Sequence, residues 1–380
     1  MLLQKLKSIL FLGMLLFFFP FSKINAQHLV LSDKAEISIL TCDSGNELYS
    51  LFGHTALRIK DELNAVDAVY NYGYFDFRTP NFYLKFVKGD LQYFVAIDNF
   101  NDFLAEYVYE QRGVFEQKLN LTTLQKQKIF DDLNAVLASD NRFYTYKFID
   151  RNCTSMVVDV INKNINTPIS NKVKDSGKTN RTILYGYLSS HFYENLGINI
   201  MFGAKTDRQF DKIYLPLQLM ESLKISKNDK FPISSDTKIL NINSAAKLPF
   251  SIWNNCYSYL LFFILIALWN KKAVYISYFV INGLLGIFLF WAGFYSLHEE
   301  LSLNYNILLF NPLLLLLAFF IVKNNFGLAL KTAYLYGIFI LIYIGLMLNK
   351  PHFLMFSPMI ATNLILLTRI ILANRKKLAN

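Results

Sequence analysis

The sequence predicts an α+β domain followed by an all-α bundle of five membrane-spanning helices. Three observations carry this. The 380 residues are 53% hydrophobic and 16% aromatic, with a mean hydropathy of +0.28, too apolar for an ordinary soluble chain of this size. The apolar residues are unevenly placed: residues 27–235 mix apolar with polar positions, whereas residues 250–373 are dominated by long apolar runs. The chain also opens on a basic stretch, an apolar core and a small-residue site, the pattern of a secretory signal.

Taken in order, residues 1–26 read as that signal peptide. Lys5 and Lys7 lead, residues 9–21 form the core, and Ile24-Asn25-Ala26 is the cleavage site. An uncleaved anchor is the alternative, and either one places the next domain outside the cytoplasm. Residues 37–41, 55–59, 65–72, 92–97 and 144–149 carry β-branched and aromatic residues near period two, which predicts strands. Residues 98–111 read as a helix. Residues 122–139 read as another: Thr122 and Gln125 fit a capping box, and Leu124, Ile129, Phe130, Leu133 and Leu137 share a face. A third helix starts at Cys153, with Asn152 as N-cap and Met156, Val157, Val160 and Ile161 inward. Residues 162–180 are polar and loop-like. The exported domain then ends near residue 235, and residues 236–249 belong to a Lys-, Asn- and Ser-rich linker.

Five apolar segments follow, at residues 253–269, 274–297, 305–322, 332–348 and 353–372, ahead of a basic tail at 374–380. Lys271 and Lys272, then Lys323 and Lys331, then Arg375, Lys376 and Lys377 fall on one side. His298-Glu299-Glu300 and Lys350-Pro351-His352 fall on the other. Positive charge gathers on the cytoplasmic side, so the first domain lies outside. The net charge of +10 reads as membrane topology, and no nucleic-acid motif accompanies it. His298, Glu299 and Glu300 read as solvated loop residues, with the entrance to a site as the alternative.

The chemistry centres on Gly53-His54-Thr55 and Asn152-Cys153-Thr154. A thiol beside an imidazole makes a nucleophile able to carry an acyl group. At the first turn of a helix, Cys153 gains from the backbone N–H groups and the dipole, which favour a thiolate. His54, at a glycine-preceded strand start, is placed to move its proton. A third residue should orient His54 through the other ring nitrogen. The next strand offers Asn71 and Tyr72, with Asp67 further away, and Asn71 is preferred. Arg58 is a candidate for holding a phosphate or an oxyanion, against an ordinary salt bridge. Asn152 and Tyr72 are further candidates for touching substrate. Of the three cysteines, Cys42, Cys153 and Cys256, at least one should be free, and a Cys42–Cys153 disulfide is the minor alternative. No metal-ligand spacing is present and no cofactor is implied.

The order, histidine before cysteine, is similar to that of circularly permuted members of the NlpC/P60-like thiol superfamily, related to papain. More specifically, Leu51-Phe52-Gly53-His54-Thr55-Ala56-Leu57-Arg58-Ile59, Tyr70-Asn71-Tyr72-Gly73 and Arg151-Asn152-Cys153-Thr154 resemble the periplasmic domain of Lnb-type lipoprotein N-acyltransferases. Phe86-Val87-Lys88-Gly89-Asp90-Leu91-Gln92-Tyr93 looks like a further stretch of that domain, and the five-span bundle is similar to the membrane domain that accompanies it. The resemblance implies a multi-pass protein of a bacterial inner membrane. It implies transfer of an acyl chain, through a thioester on Cys153 assisted by His54, to the α-amino group of a diacylglyceryl-cysteine lipoprotein. The donor would be a phospholipid or the lipoprotein's own glyceryl ester. A membrane-anchored cysteine hydrolase, peptidase or lipase, would use the same pair. A non-enzymatic envelope sensor or assembly subunit is the third reading.

Overall fold

The computed structural model describes residues 29–242 and 250–379. The expected signal peptide and part of the expected linker lie outside the described residues. Seven antiparallel strands form one sheet in the order β6-β4-β3-β2-β1-β5-β9. They are β1 (Glu36–Cys42), β2 (His54–Asp61), β3 (Val66–Tyr74), β4 (Gln92–Asn99), β5 (Val114–Lys118), β6 (Phe143–Thr145) and β9 (Lys238–Asn241). A small hairpin pairs β7 (Lys227–Asn228) with β8 (Phe231–Pro232).

β1 lies inside the sheet and is buried along nearly its whole length, which explains its run of Ile37, Ile39 and Leu40. The two faces of the sheet are set by period two along β2. On one face, Ala56 and Val69 pack with Leu40 and Cys42 against Phe100, Phe103 and Tyr107 of helix α2 (Phe100–Tyr109). On the other, the Thr55 hydroxyl pairs with that of Thr154 at 2.9 Å. That bond seats helix α4 (Cys153–Asn164) beside helix α3 (Thr123–Leu137). The α3 capping box forms as the sequence predicts, with Thr122 Oγ1 accepting from the Gln125 N–H at 3.2 Å. A short helix α1 (Phe82–Lys88) lies between β3 and β4.

Several elements differ from expectation. Residues 98 and 99 end β4, so the predicted helix at 98–111 starts only at Phe100. The strand predicted at 144–149 stops at Thr145 because its partner β4 begins there, Gln92 pairing with Thr145. Residues 147–151 then close a turn through mutual Lys147 and Arg151 backbone bonds of 3.0 Å. Residues 238–241, expected in the linker, form the edge strand β9 on β5. The polar region after α4 leads into α5 (Asn180–Tyr187), α6 (Phe192–Met201) and α7 (Pro216–Ile225). Phe192, Tyr193, Leu196 and Ile200 of α6 pack into the apolar cluster of the C-terminal helices.

That C-terminal region holds α8 (Cys256–Leu268), α9 (Lys272–Tyr295), α10 (Leu313–Val322), α11 (Phe326–Met347) and α12 (Phe353–Ala379). Four segments are long and apolar enough to cross a membrane: Lys272–Tyr295, Glu299–Val322, Phe326–Met347 and Phe353–Ala379. The first of the five expected spans, at 253–269, yields a helix of 13 residues, short of the roughly 20 needed to cross. Half or more of each spanning window faces outward, so this surface needs an apolar solvent. Gly286 allows the closest approach inside the bundle, since a Cβ there would sit 1.7 Å from the Phe310 carbonyl oxygen.

The loop after α9 fastens the two regions together. Leu297 N–H donates to Lys88 O at 2.7 Å, and Gly203 N–H to Glu300 O at 2.7 Å. His298 Nε2 donates to Phe86 O at 2.8 Å. Glu299 pairs with Lys147 and Lys205, and Glu300 Oε1 accepts from Ile149 N–H at 3.1 Å. The solvated loop expected at 298–300 is therefore a clasp, with Glu300 buried.

Candidate functional site

His54 opens β2 opposite Cys42, the last residue of β1. Gly53 delivers it there with φ +77°, and a Cβ at that position would lie 2.5 Å from the Cys42 carbonyl oxygen, so only glycine fits the turn. Cys153 begins α4, 99 residues further on, and its thiol lies close enough to the His54 ring for each to shift the other's ionisation. Both side chains are half-buried. The Thr55 backbone N–H is near enough to favour the thiolate as well. Thr154 Oγ1 stands 3.9 Å from it.

His54 Nε2 lies 3.0 Å from Asn71 Oδ1, which leaves Nδ1 for Cys153. Asn71 Nδ2 donates to Asp98 Oδ2 at 2.6 Å, and Tyr74 Oη donates to the same oxygen at 2.9 Å. The Asp98 carboxylate accepts only, so it turns the Asn71 amide with its oxygen toward the imidazole. Nε2 is then the protonated nitrogen, and Nδ1 presents either its lone pair to a thiol or its proton to a thiolate.

The electrostatics favour the ionised pair. For Cys153, burial opposes the thiolate. The His54 charge and hydrogen bond, with the Thr55 and Thr154 bonds, outweigh it and hold the thiol below its ordinary range. For His54, burial opposes the imidazolium, but the Cys153 charge and the bonds to Cys153 and Asn71 raise it above the usual value. Cys153, Cys42 and Cys256 are all free, so a Cys42–Cys153 disulfide is not formed. Burial pushes the Cys42 thiol far up, which leaves Cys153 as the nucleophilic sulfur of the pair.

Three candidates from the sequence stand elsewhere. Arg58 forms a two-pronged pair with Asp67, both bonds 2.7 Å. It also reaches Glu116 at 3.0 Å and lies over the Phe100 ring. It is a structural cation, not a holder of phosphate or oxyanion. Asn152 accepts from Ser155 N–H at 2.9 Å and donates to Phe148 O and Tyr214 O at 2.7 and 2.8 Å, so both of its amide protons are spent inside the fold and it is buried. Tyr72 alternates with Asn71 onto the opposite face and is buried beside Tyr144, not in the site. Asp98 was missed because it reads as the start of a helix; its one signal was an acidic residue ending a strand two strands from His54.

Among the described residues no group of three His, Cys, Asp or Glu side chains is placed to hold a metal. A nucleophile–base pair oriented by an amide, at a helix N-terminus, can do acyl transfer by a covalent route. Among curated proteins and among solved structures nothing matches the chain. Two family models do: the Lnb N-terminal periplasmic domain over residues 24–185 and the Lnb transmembrane domain over residues 247–377. Between them they take in Cys153, His54 and the helical bundle, and the chain belongs to the Lnb family of multi-pass membrane proteins with a periplasmic N-terminal domain.

Proposed function

We propose that this protein is a lipoprotein N-acyltransferase of the bacterial inner membrane, working through a thioester on Cys153. One observation carries the reading: a thiol–imidazole–amide set stands in a periplasmic domain hydrogen-bonded onto a membrane bundle. A peptidase acting on soluble substrate has no use for such a bundle. A lipid esterase or transferase does, because drawing an acyl chain into water costs about 0.8 kcal/mol per CH₂. In this reading the domain is a permuted NlpC/P60-like fold, and the short α8 completes a five-helix membrane domain.

In the first half-reaction the Cys153 thiolate attacks an ester carbonyl of a phospholipid or of the lipoprotein's glyceryl group. The C–S bond forms, and the C–O bond breaks. His54 Nδ1 gives its proton to the departing alkoxide, releasing a lyso product. The Cys153 and Thr154 backbone N–H groups, at the open first turn of α4, face the developing oxyanion. In the second half-reaction the neutral α-amine of a diacylglyceryl-cysteine attacks the thioester. The C–N bond forms, the C–S bond breaks, and His54 takes the amine proton. Asn71, held by Asp98, keeps the ring in register throughout.

The test is expression in a strain lacking its own N-acylating enzyme, with mass spectrometry of lipoprotein N-termini. An amide-linked chain that vanishes in Cys153→Ala and His54→Ala supports transfer. Undiminished acylation by both variants overturns the mechanism. Altered muropeptides with unaltered lipoproteins point to a peptidase.

A further inference from the structure

The aromatic stretch after Asn71 is not used by the chemistry above, yet it connects the site to the membrane. Gly73, at φ +106°, lies against the nucleophile: a Cβ there would stand 4.0 Å from the Cys153 Cβ. The strand bulges at Tyr72 and Tyr74 and turns out toward Phe75. From there the rings run in series. Tyr146 stacks on Tyr93 at 4.6 Å, Tyr93 meets Phe75 at 5.3 Å, and Phe75 meets Phe82 at 5.8 Å. Phe82 stacks on Phe86 at 6.5 Å. All but Phe86 are half-buried, presenting one side outward.

The far end of the series is α1, a helix with no buried residue. Tyr83 and Leu84 are 77% and 72% exposed. The helix is bonded to the outer end of α9 through Ser296, Leu297 and His298. There Trp291, Phe294 and Tyr295 are exposed as well. An aromatic collar at the end of a span marks the interface level of a bilayer, so α1 sits at that level with apolar rings outward.

We propose that α1 dips into the outer leaflet and that Phe82, Phe75, Tyr93 and Tyr146 form a track that takes one long acyl chain of a membrane glycerolipid from there to Cys153. The proposal rests on the acyl-transfer reading and adds to it the route and the class of chain. Its occupant is argued from continuity: α1, with Tyr83, Leu84, Phe86 and Val87 exposed, is bonded directly to the outer end of α9, where Trp291, Phe294 and Tyr295 are exposed. A chain laid along the rings stays out of water while its ester reaches the sulfur beside Gly73, where the absent side chain leaves room.

The experiment uses the full-length protein in phosphatidylglycerol–phosphatidylcholine vesicles. Acylation of Cys153 is read by intact mass with two donors, a dipalmitoyl phospholipid and a water-soluble dibutyryl analogue. The readout is the ratio of long-chain to short-chain rates. Phe75→Ala should lower that ratio at least tenfold, and so should Leu84→Glu, whose site is exposed and unconnected with folding. An unchanged ratio in Leu84→Glu, with wild-type Cys153 acylated by both donors, overturns the track and leaves the transferase reading standing. Absence of acylation in the wild-type protein with either donor overturns both.

Discussion

Replacing Asn71 by alanine removes the side chain bonded to His54 Nε2. Asn71 is 1% exposed, so no water takes over its place freely. A hydrogen bond to a charged group is worth about 1.5–3 kcal/mol. Its loss destabilises the imidazolium more than the neutral ring, so the His54 pKa falls. Because the imidazolium is what depresses Cys153, the thiol rises with it. The rate of Cys153 alkylation by iodoacetamide against pH reports this directly, in a Cys256→Ser background that removes the exposed thiol. Its inflection should move upward, and acyl transfer should slow by about 10- to 150-fold. Asn71→Asp should not restore the rate. Its new carboxylate would face Asp98 at the present 2.6 Å spacing, and two carboxylates so close cannot both ionise. Combining Asn71→Asp with Asp98→Asn exchanges the two groups and should recover most of it. If Asn71→Ala leaves both the alkylation profile and the rate as in the parent, the amide does not hold the imidazole and the argument fails.

Other outcomes follow from the same geometry. Activity against pH should be bell-shaped: it rises as Cys153 ionises, below the ordinary thiol range, and falls as His54 loses its proton, above the ordinary imidazole value. A single sigmoid would argue that one of the two does not titrate in catalysis. Arg58→Gln should cost about 2–3 kcal/mol of stability, less than a fully buried pair because Asp67 is 33% exposed. Thermal unfolding should show this while turnover per folded molecule holds, and a selective loss of turnover would return Arg58 to the site. Gly53→Ala should lower both the melting temperature and the rate of Cys153 alkylation. The left-handed turn costs a non-glycine residue about 1–2 kcal/mol before the clash with Cys42 is counted, and a variant indistinguishable from the parent would refute the fit.

The pieces of the site that the sequence disclosed are those whose signals are local. Asn152 before Cys153 announces a helix start, and the helix is there with its cap. Thr122 and Gln125 do the same for α3. Gly53 before His54 announces the turn. The pieces it concealed depend on distant partners. Arg58 stayed open between a binding role and a salt bridge because Glu116 lies on β5, a strand whose five residues, Val-Phe-Glu-Gln-Lys, show no clear alternation. β9 reads as linker because an edge strand on one neighbour needs little apolar pattern, and Lys238 and Ile239 are exposed. Tyr72 looked available because a polar ring gives no sign of its face. Only its alternation with Asn71, once Asn71 was bonded to His54, put it in the core. The motif order and the basic loops identified the family and the orientation, while the hold of the 296–304 loop on the first domain was invisible, being made of backbone groups and long-range ion pairs.

That hold has a consequence for which bond can be broken. A catalytic sulfur on a loose tether would sample many heights over a bilayer and meet any carbonyl that drifted up. Here its standoff is fixed by Leu297, His298 and Glu300 against the opposing backbone. In the proposed transfer, the choice among the esters of one lipid then becomes a matter of vertical reach.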